Sequence, residues 1–311
     1  MGYINQTLIQ YHSGLIDKAE FIKRMFEKHH SQLFDYAKYL NKTNIKKIEI
    51  EDGNVIVTTR DREIRIACSE GDYRTAPIDI LNFSDYEKFE YEMVEKLVNN
   101  GDNFFDIGAN IGWYSINIGK AKKNSKIYCF EPIPRTYKQL QNNIKLNLIN
   151  NITTHNIGLS NKKGEFIFYY YIEGSGNASS INLTERENIK TIQCKVITLD
   201  EYTEENKIRV DFIKCDVEGA ELLVFQGGFD TIQRDLPIIF SEILRKWSAK
   251  FDYDPNLIFN MFNEIGYQAF TVNENMLINF DKMEGATIET NFFFLHAEKH
   301  AKIIKKFVKV K

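Results

Sequence analysis

The 311-residue sequence contains only four cysteines, five prolines and two tryptophans. Cys68, Cys129, Cys194 and Cys215 stand far apart and form no C-x-x-C pair, which excludes a zinc knuckle built on paired cysteines. Cys129 and Cys215 sit inside apolar runs and are expected to be inert core thiols. No charge dominates either: 40 Lys+Arg against 43 Asp+Glu give a formal net charge of −3, so no chain-wide basic field exists to hold a nucleic-acid backbone. No run approaches the roughly 18 apolar residues that could span a bilayer. The opening MGYINQTLIQYHS lacks the charged head and apolar centre of a signal peptide. A cytoplasmic protein with no transmembrane segment and no nucleic-acid partner is expected. Internal repeats and low-complexity linkers are also missing. What is abundant is aromatic mass, with 23 Phe and 16 Tyr in a 43% hydrophobic composition, enough for a substantial core.

Three regions separate by pattern. Residues 1–83 read as an accessory region. Within 15–42, Ile22, Phe26, His29, Leu33, Tyr36 and Leu40 recur at spacings of four and three, which lines one helix face and fits a short heptad seam. Such a face packs either on the chain's own core or on a second subunit, as a homodimer. Asp52-Gly53 then interrupts two alternating stretches, as in a hairpin with a further strand behind it. Residues 84–298 follow a different grammar. Ser84 and Glu87 have capping-box spacing ahead of a helix through Met93, Val94 and Leu97, which Asn99-Asn100-Gly101 would stop. Apolar runs then alternate with helical stretches (NFFDIGAN, KIYCFEP, NITTHNIGLS, DFIKCDVEG, LPIIFSEI), the rhythm of parallel β/α units. YQAFTVNE and NFFFLHAE, joined without a helix, suggest an antiparallel pair closing the sheet. Residues 299–311 form a basic tail with six lysines, read as a solvated terminus.

The chemistry starts at FFDIGANIGWYS, residues 104–115. A buried strand delivers Asp106 to its carboxyl end, and Gly108, Asn110 and Gly112 turn tightly into a helix, the place where open α/β sheets bind ligands. Glycine and asparagine tolerate the left-handed backbone such a turn requires. A carboxylate at this position repels the pyrophosphate of a dinucleotide but suits the ammonium and sulfonium of S-adenosylmethionine. The G-x-N-x-G spacing also differs from a dinucleotide fingerprint. Glu131 ends the next strand, 25 residues on, where a doubly wound sheet places the acid that accepts a ribose diol, and Pro132 and Pro134 stiffen the turn that aims it.

A second acidic group follows in IKCDVEGAE, where Asp216 and Glu218 leave the same sheet edge and Glu221 is expected on the exposed face of the next helix. Glu242 ends PIIFSEI. Asp216, Glu218 and Glu242 could face one cleft, as a general base for a hydroxyl or as oxygen ligands for Mg²⁺, with the base reading preferred. His155, at the end of the third strand, is a rival base with a near-neutral pKa, or a core histidine. Asn156 and Gly158 fall where the adenine of a bound nucleoside would rest. Trp113 and Tyr114 open the helix after the glycine loop, either beside the sulfonium or in the core.

Taken together, FDIGANIGWYS, CFEPIPRTYKQLQNN, NIGLS, DFIKCDVEGAE and PIIFSEI closely resemble the FkbM family of S-adenosylmethionine-dependent methyltransferases, over about Phe89 to Glu242. The resemblance implies a class I methyltransferase fold, a Rossmann-like seven-stranded sheet with helices on both faces whose last hairpin carries an antiparallel strand. It also implies O-methylation of a hydroxyl, often on a sugar or a glycosylated or polyketide product. The cofactor is expected at Asp106, Gly108, Ala109, Asn110, Gly112, Tyr114, Glu131, Pro132, Asn156 and Gly158, with Asp216, Glu218 and His155 as the catalytic candidates. The acceptor is expected to be a small molecule or a glycan, admitted by the GSGNASSI loop at residues 174–181. Two other readings remain: a glycan-binding protein on a degenerate methyltransferase scaffold, and an NAD-dependent oxidoreductase, against which Asp106 argues.

Overall fold

A computed structural model of the chain describes residues 2–171, 173, 174, 176, 178–183 and 188–308. The first helices are α1 (Tyr3–His12), α2 (Lys18–Met25), a π-helical turn (Phe26–His30) and α3 (Ser31–Tyr39). Helix α2 starts where Asp17 accepts the Glu20 N–H at 2.8 Å, a side-chain cap. Helix α1 folds back so that Tyr11 stacks on Phe21, ring centroids 4.5 Å apart. Most of the heptad face stays off the chain's own core, with Ile22, Phe26, Leu33 and Tyr36 exposed, while Leu40 at its end packs against that core. A small antiparallel sheet follows, β1 (Ile45–Glu51), β2 (Asn54–Thr59) and β3 (Arg65–Cys68), whose Ile45, Val57 and Ile66 enter the main core. Asp52 and Gly53, at φ 48° and 77°, make the hairpin turn read from the sequence.

The capping box at Ser84 does not form. Pro77 begins a helix the sequence reading missed, α4 (Ala76–Phe83), and Ser84 ends it in the left-handed region at φ 76° with its hydroxyl donating to the Lys42 carbonyl. Helix α5 (Lys88–Leu97) starts after Glu87, itself left-handed at φ 43°.

The β/α units are β4 (Asn103–Ile107), α6 (Trp113–Ala121), β5 (Lys126–Phe130), α7 (Pro134–Leu146) and β6 (Ile152–His155). A side sheet follows, made of β7 (Gly158–Leu159), β8 (Gly164–Tyr170) and β9 (Lys190–Ile197). Next come α8 (Leu199–Asn206), β10 (Phe212–Cys215), α9 (Glu221–Gln226), α10 (Phe229–Asp235), β11 (Ile238–Glu242), α11 (Arg245–Ser248) and α12 (Asn256–Glu264). The chain closes with β12 (Tyr267–Asn273), β13 (Met276–Phe280), β14 (Asn291–His296) and α13 (Ala301–Phe307).

The main sheet has eight strands in the order β13-β12-β14-β11-β10-β4-β5-β6. Strands β6, β5, β4, β10 and β11 run parallel, and β14 is antiparallel to both β11 and β12. Without β13 this is the expected class I methyltransferase order, closed by the expected antiparallel pair. The extra edge strand comes from MLINF, a run too short to stand out by pattern. Alternate strand residues feed the two layers: Phe104 and Phe212 pack toward α5, α6 and α7, while Phe105 and Ile213 pack toward α8, α9 and α12. The strand order reverses between β4 and β10, which places a crevice at their carboxyl ends. The basic tail is less solvated than expected. Ile303, Ile304 and Phe307 of α13 pack against the core, and Lys309 and Lys311 lie outside the described residues. All four cysteines are free thiols, and Cys129 and Cys215 are buried as expected.

Candidate active site

The loop after β4 has the backbone that its residue types call for, with Gly108, Asn110 and Gly112 at φ 75°, 48° and 93°. A Cβ on Gly108 would lie 1.8 Å from the Asp216 carbonyl oxygen, so this glycine lets the ends of β4 and β10 meet. Asp106 does not line the cleft. Its side chain is 1% exposed, it accepts the Ser115 hydroxyl, and its Oδ1 lies 3.3 Å from the ammonium of Lys214. Lys214, 6% exposed, also reaches Asp216 Oδ2 at 3.4 Å and donates to the Gly108 carbonyl at 2.8 Å. Burial by itself would lower the Lys214 pKa, but the carboxylates of Asp106, Asp216 and Glu87 outweigh it and hold the pKa above its ordinary value.

Glu131 stands at the end of β5, buried, accepting N–H bonds from Asn110 at 3.0 Å and Ile133 at 2.9 Å. Burial pushes its pKa up to about 7, against the pull of those two bonds. Asn156 braces this turn, its amide donating to the carbonyls of Glu131 and Pro132. Gly158 borders a small apolar space with Phe130, Pro132, Phe168 and Val217.

Two cavities that share Asn110, Gly176, Asp216 and Glu218 as lining lie over the crevice. The narrower, about 50 Å³, is lined by Gly108, Asn110, Glu131, Pro132, Asp216 and Glu218. The wider, about 630 Å³, is lined by Asn110, Trp113, Tyr114, Glu87, Asp216, Glu218 and Glu242 and also by Tyr73, Asp79 and Phe83. Gly176, from the loop expected to admit an acceptor, touches both; Ser175 and Asn177 of that loop lie outside the described residues. Within the loop, the Ser179 hydroxyl donates to the Glu218 carbonyl at 3.0 Å.

The structure brings Asp216, Glu218 and Glu242 together, with one carboxylate oxygen of each within 4.8 Å of the others. Glu218 and Glu242 open onto the cleft but are so enclosed that burial, reinforced by Asp216, raises both well above the carboxylate range. Glu221 corrects the expectation of an exposed carboxylate. It is buried, and it accepts the N–H groups of Val217 and Gly219 at 3.1 Å each. The turn it braces, left-handed at Glu218 and Gly219, points two N–H donors inward that need an acceptor. Burial, opposed by those bonds, leaves Glu221 near pKa 7. His155 lines neither cavity; its Nε2 is 2.8 Å from the Tyr202 hydroxyl, its ring stacks on Phe130, and burial lowers its pKa.

The residue missed by sequence reasoning is Glu87, whose capping-box spacing supplied a ready structural explanation. Its carboxylate lines the wide cavity and accepts the Tyr114 hydroxyl at 2.7 Å. Burial, opposed by that bond and reinforced by Asp216, raises it to about 7. Tyr114 is buried, with the Lys214 ammonium 5.7 Å from its ring centre.

Residues 106–269, more than half of the chain, match the family model described as the methyltransferase FkbM domain. The chain belongs to the FkbM methyltransferase family. Among curated relatives, Methyltransferase 1 of Beauveria bassiana is 28% identical over 40% of this chain and 58% of its own length. A tRNA (guanine(37)-N(1))-methyltransferase of Pediculus humanus is 32% identical over 37% of this chain and 28% of its own length. The 2-O-methyltransferase NoeI of Sinorhizobium fredii is 23% identical over 47% of this chain and 65% of its own length. The chain thus spans little more than half the length of the first of these relatives. No described helix is long and apolar enough to cross a membrane.

Proposed function

We propose that this FkbM-family chain transfers a methyl group from S-adenosylmethionine to an acceptor hydroxyl, on a sugar, nucleotide-linked sugar or surface glycan, in the cleft over β4, β5 and β10. The observation that carries the reading is a pair of adjoining cavities, sharing Asn110, Asp216 and Glu218, one of which holds the glycine loop and Glu131 and the other Glu242. Fit to the cofactor is supported by the buried Glu131 carboxylate and by Asn110 Oδ1, a buried acceptor with no protein hydrogen bond. Glu131 would take the ribose hydroxyls, Asn110 and the backbone of Ala109 and Gly112 would line the loop side, Pro132 the turn, and Gly158 the adenine end. In this scheme Asp106 and Asn156 act from behind, one through Lys214 and the other by fixing the Glu131 turn.

S-adenosylmethionine supplies a methyl group on a positively charged sulfur. The chain's part is to hold an acceptor oxygen in line and take its proton, for which Asp216 is the first candidate and Glu218 the second. Lys214, 3.4 Å away, fixes the Asp216 carboxylate. Convergence of the three acids also meets the geometric requirement for oxygen ligation of a divalent ion, but Lys214 already places a cation beside Asp216, so the base reading is retained. Asp79, Glu87, Asp216, Glu218 and Glu242 line the wide cavity together with Arg74 and Lys214. These side chains can donate hydrogen bonds to, and accept them from, the hydroxyls of an acceptor.

The test is calorimetric titration of the full chain with S-adenosylhomocysteine and, separately, with NADH. Binding of the first alone is expected, followed by release of S-adenosylhomocysteine when labelled cofactor meets a panel of glycosides. Binding of NADH alone would establish the oxidoreductase reading instead. Cofactor binding without turnover on any acceptor would favour a glycan-binding scaffold, against which the intact Asp106, Glu131 and Asp216 weigh.

A further inference from the structure

The amino-acid end of S-adenosylmethionine carries an ammonium, and a desolvated ammonium needs an anionic partner. The sequence offered Asp106 for that role. The structure withdraws it, because Asp106 is sealed beneath the loop and its charge is met by Lys214 and the Ser115 hydroxyl. Asp216 shares the same lysine. Of the other carboxylates that line the cleft, Glu218 and Glu242 crowd against Asp216, and Glu131 is engaged by the N–H groups of Asn110 and Ile133; Glu87 is the one bonded to a side chain of the helix that follows the glycine loop.

Three features place it. Glu87 is left-handed at the junction before α5, which turns its side chain inward rather than along the helix. The Tyr114 hydroxyl fixes Oε2 at 2.7 Å, and Tyr114 belongs to the first turn of α6, two residues beyond Gly112. The carboxylate is therefore tied to the loop that holds the cofactor and not to the far wall formed by Tyr73 and Phe83. Finally, Glu87 shares its cavity with Ala109, Asn110 and Trp113 from that loop.

We infer that Glu87, and not Asp106, is the counter-charge for the ammonium of the cofactor's amino-acid end. The inference rests on the S-adenosylmethionine reading above. It also assigns a cofactor contact to a residue outside the family-matched segment 106–269.

The test compares S-adenosylhomocysteine with 5′-methylthioadenosine, which keeps the nucleoside and sulfur but lacks the amino-acid end, by calorimetry on the full chain. Glu87→Gln, close to isosteric and still able to accept from Tyr114, should weaken S-adenosylhomocysteine at least tenfold and leave 5′-methylthioadenosine unchanged. Glu87→Asp, which keeps the charge at shorter reach, should recover part of the loss. Unchanged S-adenosylhomocysteine affinity in Glu87→Gln overturns the inference, as does an equal loss for both ligands, which would mean general damage to the cleft. If the wild-type chain binds neither ligand, the cofactor reading fails first and the inference falls with it.

Discussion

Lys214 lies 3.3 Å from Asp106, both side chains almost wholly buried, and through this pair the ends of β10 and β4 are held together beneath the glycine loop. Removing one partner of a buried pair strands the other charge, at a cost of about 3–5 kcal/mol. Lys214→Met should therefore destabilise the chain by that order, read as a lower urea midpoint. Adding Asp106→Asn should recover part of the loss, because the stranded charge is gone. Additive losses in the double variant would show that the two side chains do not act as a pair.

Asp216→Asn should lower turnover by about 10²–10⁴-fold, the range for a general base, with S-adenosylhomocysteine affinity within a fewfold of wild type. His155→Gln should leave turnover within a fewfold, since His155 lies outside both cavities and is engaged by Tyr202. The reverse pattern would move the base to the histidine.

Glu87, Glu131 and Glu221 each have a folded-state pKa near 7, raised from 4.5 chiefly by burial. Between pH 4.5 and 7 the folded chain binds more protons at these sites than the unfolded chain, so their contribution to stability is full below about pH 4.5 and is lost as pH rises through 7. The melting temperature should fall by several degrees from pH 5.5 to 8, and Glu131→Gln should flatten that fall while weakening cofactor binding. A melting temperature that rises across the window would contradict these pKa directions.

Turnover should be unaffected by EDTA and unchanged on adding Mg²⁺ back, because Lys214 stands beside the acid cluster. Loss of activity on chelation with recovery by Mg²⁺ would make Asp216, Glu218 and Glu242 ligands instead.

The N-terminal arm has an apolar face at heptad spacing, most of which the core leaves exposed. We expect a homodimer through it, seen as twice the monomer mass by light scattering. Phe26→Glu with Leu33→Glu should yield monomers without changing the circular dichroism of the body. A monomeric wild-type chain would remove the arm as a dimer contact.

Much of the fold was legible because its signals are local. The strand-and-turn pattern of FFDIGANIGWYS, the proline-stiffened CFEPIP and the Asp52-Gly53 hairpin each depend on residues within a few positions, and each formed as read. The errors arose where a distant partner decided. Asp106 and Lys214 are separated by 108 positions, and no periodicity marks their pairing. Glu221 looked like a surface acid because the N–H groups it satisfies belong to a left-handed turn that cannot be read from composition. Glu87 had a local explanation in the capping box, and Pro77 displaced it by starting a helix ten residues earlier.

The cleft is assembled from two stretches of chain with different relations to the family. The floor lies within 106–269, while the opposite wall, from Tyr73 to Tyr86, lies before it. Substitutions in that wall can alter what the cleft admits without disturbing the loop, Glu131 or the acid cluster. Acceptor choice could therefore drift between relatives while the shared segment stays recognisable, and a swap of residues 73–86 between two family members is the natural way to move specificity from one to another.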